Sequence, residues 1–455
     1  MKSLYCILFF VIFSSVYYFV ICQDLPSPRC QHTSTLVGTR LYFFGGVTSS
    51  TRKSDEVWYL DLSSSFKIST PPWRSDAVML VGYNLGTSCL SPIDSSTVFL
   101  IGGRTWKAIS ATTEYYSYTS SVYKFNSKTS QWTTPTINNF NSSFATRNEI
   151  QAVIDNNGKI FIFGGFNYNS STTLRYNDMN ILDITNMTWS TPIQSQSVLA
   201  YVDYTATLLP NGLIVYIGGR SNVNLTDMAQ IQIFDTKSYT WSAKSASGST
   251  IASRIGHSAV LTQDGNIIIY GGSLLDSSGN VATVFSDIAV LNTNSWVWFV
   301  PSVSGTSAPP LTDHSAALYK NYMILAFGST SASNLYTNNI YILDIQNYTW
   351  VATFPDKPTQ STGNSSTDQA NNNYTYLYIG IGIGAGVVIL TAVLFIIGFF
   401  IYKNRHKEEF IATSGTFRND HIRETHMSMV YASRIPPPET YVQTPLYGIP
   451  MPGIK

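Results

Sequence analysis

Three histidines have the residue type and the spacing that could form a metal site. The chain contains six histidines, and three of them stand 13 or 14 residues before a glycine-containing pair: His32, His257 and His314. If their common position brings them together, three imidazoles could bind zinc or copper. Alternatively, a histidine in a recurring Arg-x-x-His pattern forms hydrogen bonds between neighbouring repeats. We predict this second role, and therefore no metal and no other cofactor.

Three arginines, Arg29, Arg147 and Arg254, occupy related places near the start of their repeats. Such a set could form a ring that binds a carboxylate or an anionic sugar through bidentate hydrogen bonds. Alternatively, the arginines pair with acidic residues of the repeat or with loop carbonyls. The sequence leaves both interpretations open, and the three arginines are candidate binding residues.

Motifs of common catalytic sites are absent from the sequence. It has no Gly-x-Ser-x-Gly elbow, no His-Glu-x-x-His pair and no phosphate-binding P-loop. The formal net charge is +1 and only 12% of the residues are charged, so there is no basic field to attract nucleic acid. We therefore predict a protein that is not an enzyme and does not bind nucleic acid.

The elements that would position these residues recur along the chain. Short apolar runs end in glycine pairs that are 53 to 62 residues apart, at Gly45, Gly102, Gly164, Gly218 and Gly271, with a sixth copy at Phe327-Gly328. A further apolar run ends in Asp or Asn, at Asp61, Asn126, Asp183, Asp235, Asn292 and Asp344. In five copies a tryptophan follows six residues later, at Trp132, Trp189, Trp241, Trp298 and Trp350. The first copy differs, because Phe66 is the nearest aromatic residue there and Trp73 comes later.

Short apolar runs separated by Gly, Asn and Asp predict strands rather than helices. One such unit is a small sheet with two uncovered faces, so the copies must cover one another. The glycine pair, the turn residue and the tryptophan together resemble the kelch repeat over about residues 29–355. Six copies are similar to an all-β, six-bladed propeller, which we assign to residues 24–355. How the ring closes stays open.

The kelch resemblance also implies an enzymatic alternative, since galactose oxidase has repeats of this type. Its copper site needs two histidines, two tyrosines and a cysteine that is cross-linked to one of the tyrosines. That enzyme also has a further blade and an additional C-terminal domain, which this chain lacks. We therefore keep a galactose oxidase-like or other metal-dependent extracellular enzyme only as an alternative. A structural wall or adhesion component is a third hypothesis.

Two of the four cysteines, Cys30 and Cys89, lie outside the N-terminal apolar stretch. Each falls on the first strand of its repeat, in blades 1 and 2, so neighbouring first strands could bring them close. A disulfide between them suits an oxidising compartment. The alternative is two buried free thiols. We predict the disulfide.

Three segments indicate a surface protein anchored in a membrane. Residues 1–22 read as a signal peptide, although an uncleaved anchor is an alternative. Residues 377–401 contain no charge and are long enough to span a bilayer, and Lys403 and Arg405 follow at once, which places the C-terminus in the cytosol. Between the propeller and this segment, residues 356–376 form a polar stalk. Residues 402–455 form a proline-rich, disordered tail that could dock on a cytosolic adaptor.

Seven glycosylation sequons precede the apolar segment and none follows it, at Asn141, Asn169, Asn186, Asn224, Asn347, Asn364 and Asn373. This one-sided distribution agrees with a lumenal or extracellular propeller. The predicted protein is thus a single-pass, type I cell-surface protein. Its propeller is expected to recognise an extracellular protein or glycan without catalysis.

Overall fold

The computed structural model describes residues 24–48, 54–108, 114–116, 122–144, 147–169, 172–193, 198–221, 224–330 and 335–355. In this part of the chain, six main sheets of four or five strands follow one another in sequence order, and neighbouring strands are antiparallel except for one short parallel pair in the fifth sheet. Their first strands contact in a closed ring, since the first strand of each blade touches that of the next and the sixth touches the first. The predicted all-β, six-bladed propeller is confirmed.

The strands of the first three blades have the following bounds. Blade 1 contains β1 (Thr33–Val37), β2 (Arg40–Phe44), β3 (Val57–Asp61), β4 (Phe66–Lys67) and β5 (Trp73–Ser75). Blade 2 contains β6 (Gly82–Leu90), β7 (Thr97–Ala108), β8 (Glu114–Tyr116), β9 (Val122–Asn126) and β10 (Gln131–Thr133). A short 3₁₀ turn (Ser142–Phe144) precedes blade 3, which contains β11 (Ala152–Ile154), β12 (Lys159–Phe163), β13 (Phe166–Asn169), β14 (Thr172–Arg175), β15 (Met179–Asp183) and β16 (Thr188–Ser190).

The other three blades repeat this plan. Blade 4 contains β17 (Thr205–Leu208), β18 (Leu213–Ile217), β19 (Arg220–Ser221), β20 (Asn224–Leu225), β21 (Gln230–Asp235) and β22 (Thr240–Ser245). Blade 5 contains β23 (Ser247–Gly248), β24 (Ser258–Leu261), β25 (Asn266–Tyr270), β26 (Ser273–Leu275), β27 (Val281–Val284), β28 (Ile288–Asn292) and β29 (Val297–Phe299). Blade 6 contains β30 (Ser315–Tyr319), β31 (Tyr322–Ala326), β32 (Ile340–Asp344) and β33 (Thr349–Val351), and β34 (Thr353–Phe354) follows it.

The hydrophobic core consists of six clusters, and each lies at the seam between two neighbouring blades. In strand β25, Ile267 and Ile269 face the seam with blade 4, whereas Ile268 and Tyr270 face the seam with blade 6. Successive side chains of a strand point to opposite faces. Because both faces are buried, the second strands contain runs of consecutive apolar residues instead of alternating, as Ile267–Tyr270 does in β25.

The glycine pairs make the backbone contacts that join the blades. In all six blades, the N–H of the second residue of the pair donates to a carbonyl of the next blade. The donor–acceptor pairs are Gly46 to Tyr83, Gly103 to Arg147, Gly165 to Tyr201, Gly219 to Arg254, Gly272 to Leu311, and Gly328 to Arg29. A Cβ atom added at Gly271 would lie 2.3 Å from the Leu311 carbonyl oxygen. Glycine is therefore needed because the neighbouring backbone comes too close for a side chain.

The sixth copy replaces the first glycine of its pair with Phe327. This residue keeps the left-handed backbone conformation of the glycines, with a φ of 61°. Its ring fills the seam between blades 6 and 1, where its centroid lies 4.9 Å from that of His32 and 5.1 Å from that of Phe43. A bulky residue that is not glycine rarely adopts this conformation. The aromatic packing holds it there.

In blade 1 the tryptophan that covers the sheet is Trp73, not Phe66. Trp73 pairs with Leu60 across the last two strands, as Trp298 pairs with Leu291 in blade 5. The residues inserted before Trp73 form strand β4, which pairs with β34 from the C-terminal end of the propeller. We call this two-stranded sheet the clasp. The insertion that shifts Trp73 away from the common spacing thus supplies one of the two strands of the clasp.

The ring closes without exchanging a strand between the first and the last blade. Blade 1 consists only of strands from the N-terminal end, and blade 6 only of strands from the C-terminal end. Besides the clasp, the Asn338 side chain donates to the Pro26 carbonyl at 3.0 Å, and the Arg29 N–H donates to the Thr337 carbonyl at 3.3 Å.

The remaining predicted segments fall on residues that are not described. These are the signal peptide at 1–22, the stalk at 356–376, the membrane span at 377–401 and the tail at 402–455. Within the ranges given above, no helix has the length and apolar character that crossing a membrane requires.

Candidate functional site at the central cavity

Six residues at one repeat position surround the axis of the ring. Each adopts a left-handed conformation, with φ between 54° and 62°, and in five of them the N–H donates to the carbonyl of the equivalent residue in the preceding blade. These residues are Gln31, Leu85, Glu149, Asp203, Gly256 and Asp313. Together with the first strands they line a cavity of about 210 Å³, which we call the axial cavity.

Two carboxylates of the axial cavity share one arginine. Arg220 follows the glycine pair of blade 4, and its guanidinium donates to Asp203 at 2.8 Å and to Glu149 at 3.1 Å. Burial raises the pKa of Glu149 well above its ordinary value, and the nearby charge of Asp203 raises it further, while Arg220 acts in the opposite direction. Two acids from blades 3 and 4 thus pair with the same cation, and the charge of Arg104 also acts on Glu149.

The third carboxylate, Asp313, accepts from a series of side chains in blades 2 and 1. Trp106 donates to Asn84 at 3.3 Å, Asn84 donates to Gln31 at 3.0 Å, and Gln31 donates to Asp313 at 3.4 Å. Burial raises the pKa of Asp313 to about 6, and the charge of Asp203 adds to this effect. No ion pair of Asp313 is found in the described part of the chain.

The three histidines bridge the seams between blades, as the structural interpretation predicts. In each case Nε2 forms a hydrogen bond with a hydroxyl on the first strand of the preceding blade. The pairs are His32 with Ser315 (2.8 Å), His257 with Thr205 (3.1 Å) and His314 with Ser258 (2.8 Å). Burial lowers the pKa of each to about 3. Across the described residues, no group of three or more His, Cys, Asp or Glu side chains could hold a metal ion.

The other three seams are bridged at the same depth by side chains that do not titrate. Between blades 1 and 2, Thr33 and Ser88 form a hydroxyl–hydroxyl bond of 2.7 Å. Between blades 2 and 3, Thr87 accepts from the Ala152 N–H at 3.0 Å. Between blades 3 and 4, the N–H of residue 206 donates to the Gln151 side chain at 2.6 Å. Histidine is thus confined to the seams 4–5, 5–6 and 6–1.

The candidate binding arginines are used inside the propeller. Arg29, Arg147 and Arg254 are fully buried, and each donates to the carbonyl of the first glycine of its own pair. Each also pairs with an acid just before the third main strand, namely Glu56, Asp178 and Asp287 respectively. The hypothesis that they form an anion-binding ring is therefore wrong, because their donors are directed into the blades and away from the axial cavity.

The predicted disulfide is not formed, because Cys30 and Cys89 are both buried free thiols. Cys89 lies at the seam between blades 2 and 3, where its thiol is 3.7 Å from the Ala152 carbonyl. The surroundings of Cys30 include Asp313 and Tyr336 of blade 6. Cys30 lies before β1, in an isolated bridge with Val47, whereas Cys89 lies within β6. The two side chains thus do not occupy equivalent strand positions, and they belong to different seams.

The predicted glycosylation sites differ in exposure. Asn186, Asn224 and Asn347 are exposed, whereas Asn141 is half-buried and its side chain donates to Thr191 at 3.3 Å. Asn169 lies on strand β13, and Asn364 and Asn373 lie outside the described residues.

Comparison with known sequences gives the class of the protein. The profile of the family described as the KLHDC2/KLHL20/DRC7 Kelch-repeats domain matches residues 84–272 and 229–392, which is more than half of the chain. The chain therefore belongs to this kelch-repeat family, in agreement with the six blades.

The more specific similarities are modest. Acyl-CoA-binding domain-containing protein 4 of Arabidopsis thaliana is 28% identical over 269 residues, which cover 56% of this chain and 37% of that protein. Kelch domain-containing protein 3 of Rattus norvegicus is 27% identical over 324 residues, which cover 67% of this chain and 78% of that protein. The chain thus spans only about a third of the Arabidopsis relative.

A solved structure supports the fold alone. The structure of YjhT superposes with a TM-score of 0.55 at 14% identity, and the match covers 72% of this chain and 98% of that one. At this identity the similarity supports the propeller architecture and gives no information about the roles of individual residues.

Proposed function

We propose that this protein is a non-enzymatic recognition protein whose propeller binds a protein partner at the axial cavity. Kelch propellers generally bind protein partners, and this chain belongs to that family. The observation that carries the proposal is the set of three carboxylates, Glu149, Asp203 and Asp313, that line one cavity on the axis. Arg220 pairs with the first two of them. By contrast, the buried arginines and histidines bond to the propeller itself.

The chemistry of the cavity favours a partner segment that offers hydrogen-bond donors. Carboxylates accept hydrogen bonds and donate none, and those of Glu149 and Asp203 already share Arg220. Within the described residues, the Asp313 carboxylate receives a single side-chain hydrogen bond, the 3.4 Å contact from Gln31. A backbone or side-chain N–H of a partner would donate a stronger hydrogen bond to the Asp313 carboxylate than Gln31 does.

The proposal is tested by quantitative co-purification with the full chain as bait. We expect Asp313→Asn to reduce recovery of the specific partner at least tenfold, because it removes an acceptor oxygen and a charge from the cavity. Asp264→Asn is the matched control, since this exposed acid lies in the turn beyond the far end of strand β24. Equal recovery by both variants would place the binding surface elsewhere. Binding of a glycan on a carbohydrate array would instead favour the glycan alternative. If the chain binds neither a protein partner nor a glycan, a structural or adhesion role is favoured.

We further propose that the propeller lies outside the cell on a single-pass, type I anchor, with a cytosolic tail. The apolar residues 377–401, the basic residues after them and the seven preceding sequons support this topology. Removal of N-glycans from the full chain expressed in cultured cells should increase its mobility on a gel, and Asn186→Gln together with Asn347→Gln should reduce the shift. Protease added to intact cells should digest the propeller and spare the tail. A chain without glycans that resists the protease would refute the topology.

A further inference from the structure

The three histidine bridges occupy consecutive seams, which divides the ring into two halves. The seams 4–5, 5–6 and 6–1 each contain a buried imidazole, whereas the seams 1–2, 2–3 and 3–4 are bridged by hydroxyl, amide and backbone groups. Histidine, the residue that ordinarily titrates at mildly acidic pH, is therefore confined to the first half, while seam 3–4 also contains the ion pair of Arg220 with Glu149.

In the closed seams of the described structure, no group accepts a hydrogen bond from the second N–H of an imidazolium. A protonated imidazole carries an N–H on both nitrogens, and Nδ1 of His32, His257 and His314 is buried without a hydrogen-bond partner in the described structure. The Nε2 atoms are already bonded to hydroxyls. A proton added in the closed ring would thus create a buried charge and an unsatisfied donor together.

The groups that face the imidazoles do not compensate such a charge. Arg29 acts on His32 and Arg254 acts on His257, and both are cations that disfavour a further positive charge. His314 acts in the same direction on the other two histidines and itself lies against Tyr270, with ring centroids 5.6 Å apart. The side chains that bond to or stack on the imidazoles are uncharged, namely Thr205, Ser258, Ser315, Phe43 and Phe327. The acids Glu149, Asp203 and Asp313 line the same cavity as the histidines.

We propose that the seams 4–5, 5–6 and 6–1 form an acid-sensitive half of the ring, which opens locally when the pH falls below about 6.5, while the other half stays closed. Opening exposes the histidines to water, where they can bind a proton without creating a buried charge. The inference concerns the ring itself and holds whether or not a partner occupies the axial cavity.

The sign follows from proton linkage. The folded-state pKa of each histidine is lowered from 6.5 to about 3, so the stability that each contributes is complete above pH 6.5 and is lost as the pH falls towards 3. Asp313 acts oppositely: its pKa is raised from 3.8 to about 6, so its contribution is complete below pH 3.8 and is lost as the pH rises through 6. Glu149 shifts in the same direction as Asp313. We expect the effect of the three histidines on stability to exceed that of these two acids, which do not take part in the histidine bridges.

Hydrogen–deuterium exchange of the full chain at pH 7.5 and pH 5.5 tests the proposal, with each rate divided by the intrinsic rate at that pH. For a histidine with an exposed pKa of about 6.5, the opening equilibrium should increase about tenfold over this range for each histidine that opening exposes. We expect this increase in strands β24, β30 and β1. Strands β6 and β11, which adjoin only seams without histidine, serve as the internal control and should change less than twofold.

The matched variants replace histidine by glutamine, whose side-chain nitrogen can take the place of Nε2 but does not titrate. His257→Gln should reduce the pH response of β24 to the part that comes from His314, which bonds to Ser258 of the same strand. The triple variant with His32→Gln and His314→Gln should remove the response in all three strands. If the triple variant does not fold, the comparison between strands of the wild-type chain still decides. A uniform response of all six first strands, or a β24 response that is undiminished in His257→Gln, would overturn the proposal.

Discussion

Replacement of Gly271 with alanine is expected to lower the free energy of unfolding by about 3–5 kcal/mol. The new Cβ would lie 2.3 Å from the Leu311 carbonyl oxygen, and the residue would keep a φ of 63°. The left-handed conformation contributes about 1–2 kcal/mol and overpacking about 1–3 kcal/mol. Moving blade 6 away to relieve the clash would also weaken the hydrogen bond from Gly272 to Leu311.

The matched control for this variant is Gly279→Ala. Gly279 also has a left-handed φ, 82°, but a Cβ added there would have no atom within 4 Å. It should therefore show only the conformational cost, about 1–2 kcal/mol. Urea denaturation followed by tryptophan fluorescence measures both variants. Equal losses would show that backbone conformation alone, and not the close approach between blades, requires the glycine pair.

The second large effect is expected for Asp287→Ala, which should lower the free energy of unfolding by about 3–5 kcal/mol. Arg254 is fully buried and donates to both oxygens of Asp287, at 2.7 and 2.9 Å. Without Asp287 its charge would be left with carbonyl oxygens and the ring of Phe285, which lies 4.4 Å from the guanidinium carbon. Such partners compensate a buried cation only in part.

A double replacement separates the lost charge partner from lost packing. Arg254→Met combined with Asp287→Leu removes both charges and keeps much of the apolar volume, so it should recover most of the stability that Asp287→Ala loses. The same denaturation experiment measures both. If the double variant is as unstable as Asp287→Ala, an unpaired buried charge is not the cause of the lost stability.

The repeat architecture was predictable because its signals are residue types. The glycine pairs are forced by the approach of the next backbone, and the tryptophans by the seam they cover, so both recur visibly in the sequence. Trp73 was missed because the inserted clasp strand shifts it away from the common spacing. The disulfide prediction was wrong for a related reason. Counting back from the glycine pairs placed Cys30 on the first strand, whereas it precedes β1, and the count did not give the seam that each thiol faces.

The axial cavity could not be found in the same way, because its residues share a conformation and not a residue type. Gln31, Leu85, Glu149, Asp203 and Asp313 stand at one left-handed position, yet no single amino acid marks it. The available signal was the place just before the histidine of the repeat, and three acids in six copies could have been noticed there. Arg220 was less accessible still, because only the three-dimensional structure brings it to two acids in different blades.

The closure without strand exchange has a consequence for how such a chain can be rearranged. Every main sheet is made from one uninterrupted stretch, and the Pro26–Asn338 contact and the clasp bring both ends of the propeller to the same seam. A circular permutant that joins these ends and starts at another connector would cut no sheet. For the same reason, duplication or deletion of one whole unit would change the number of modules and leave each module intact.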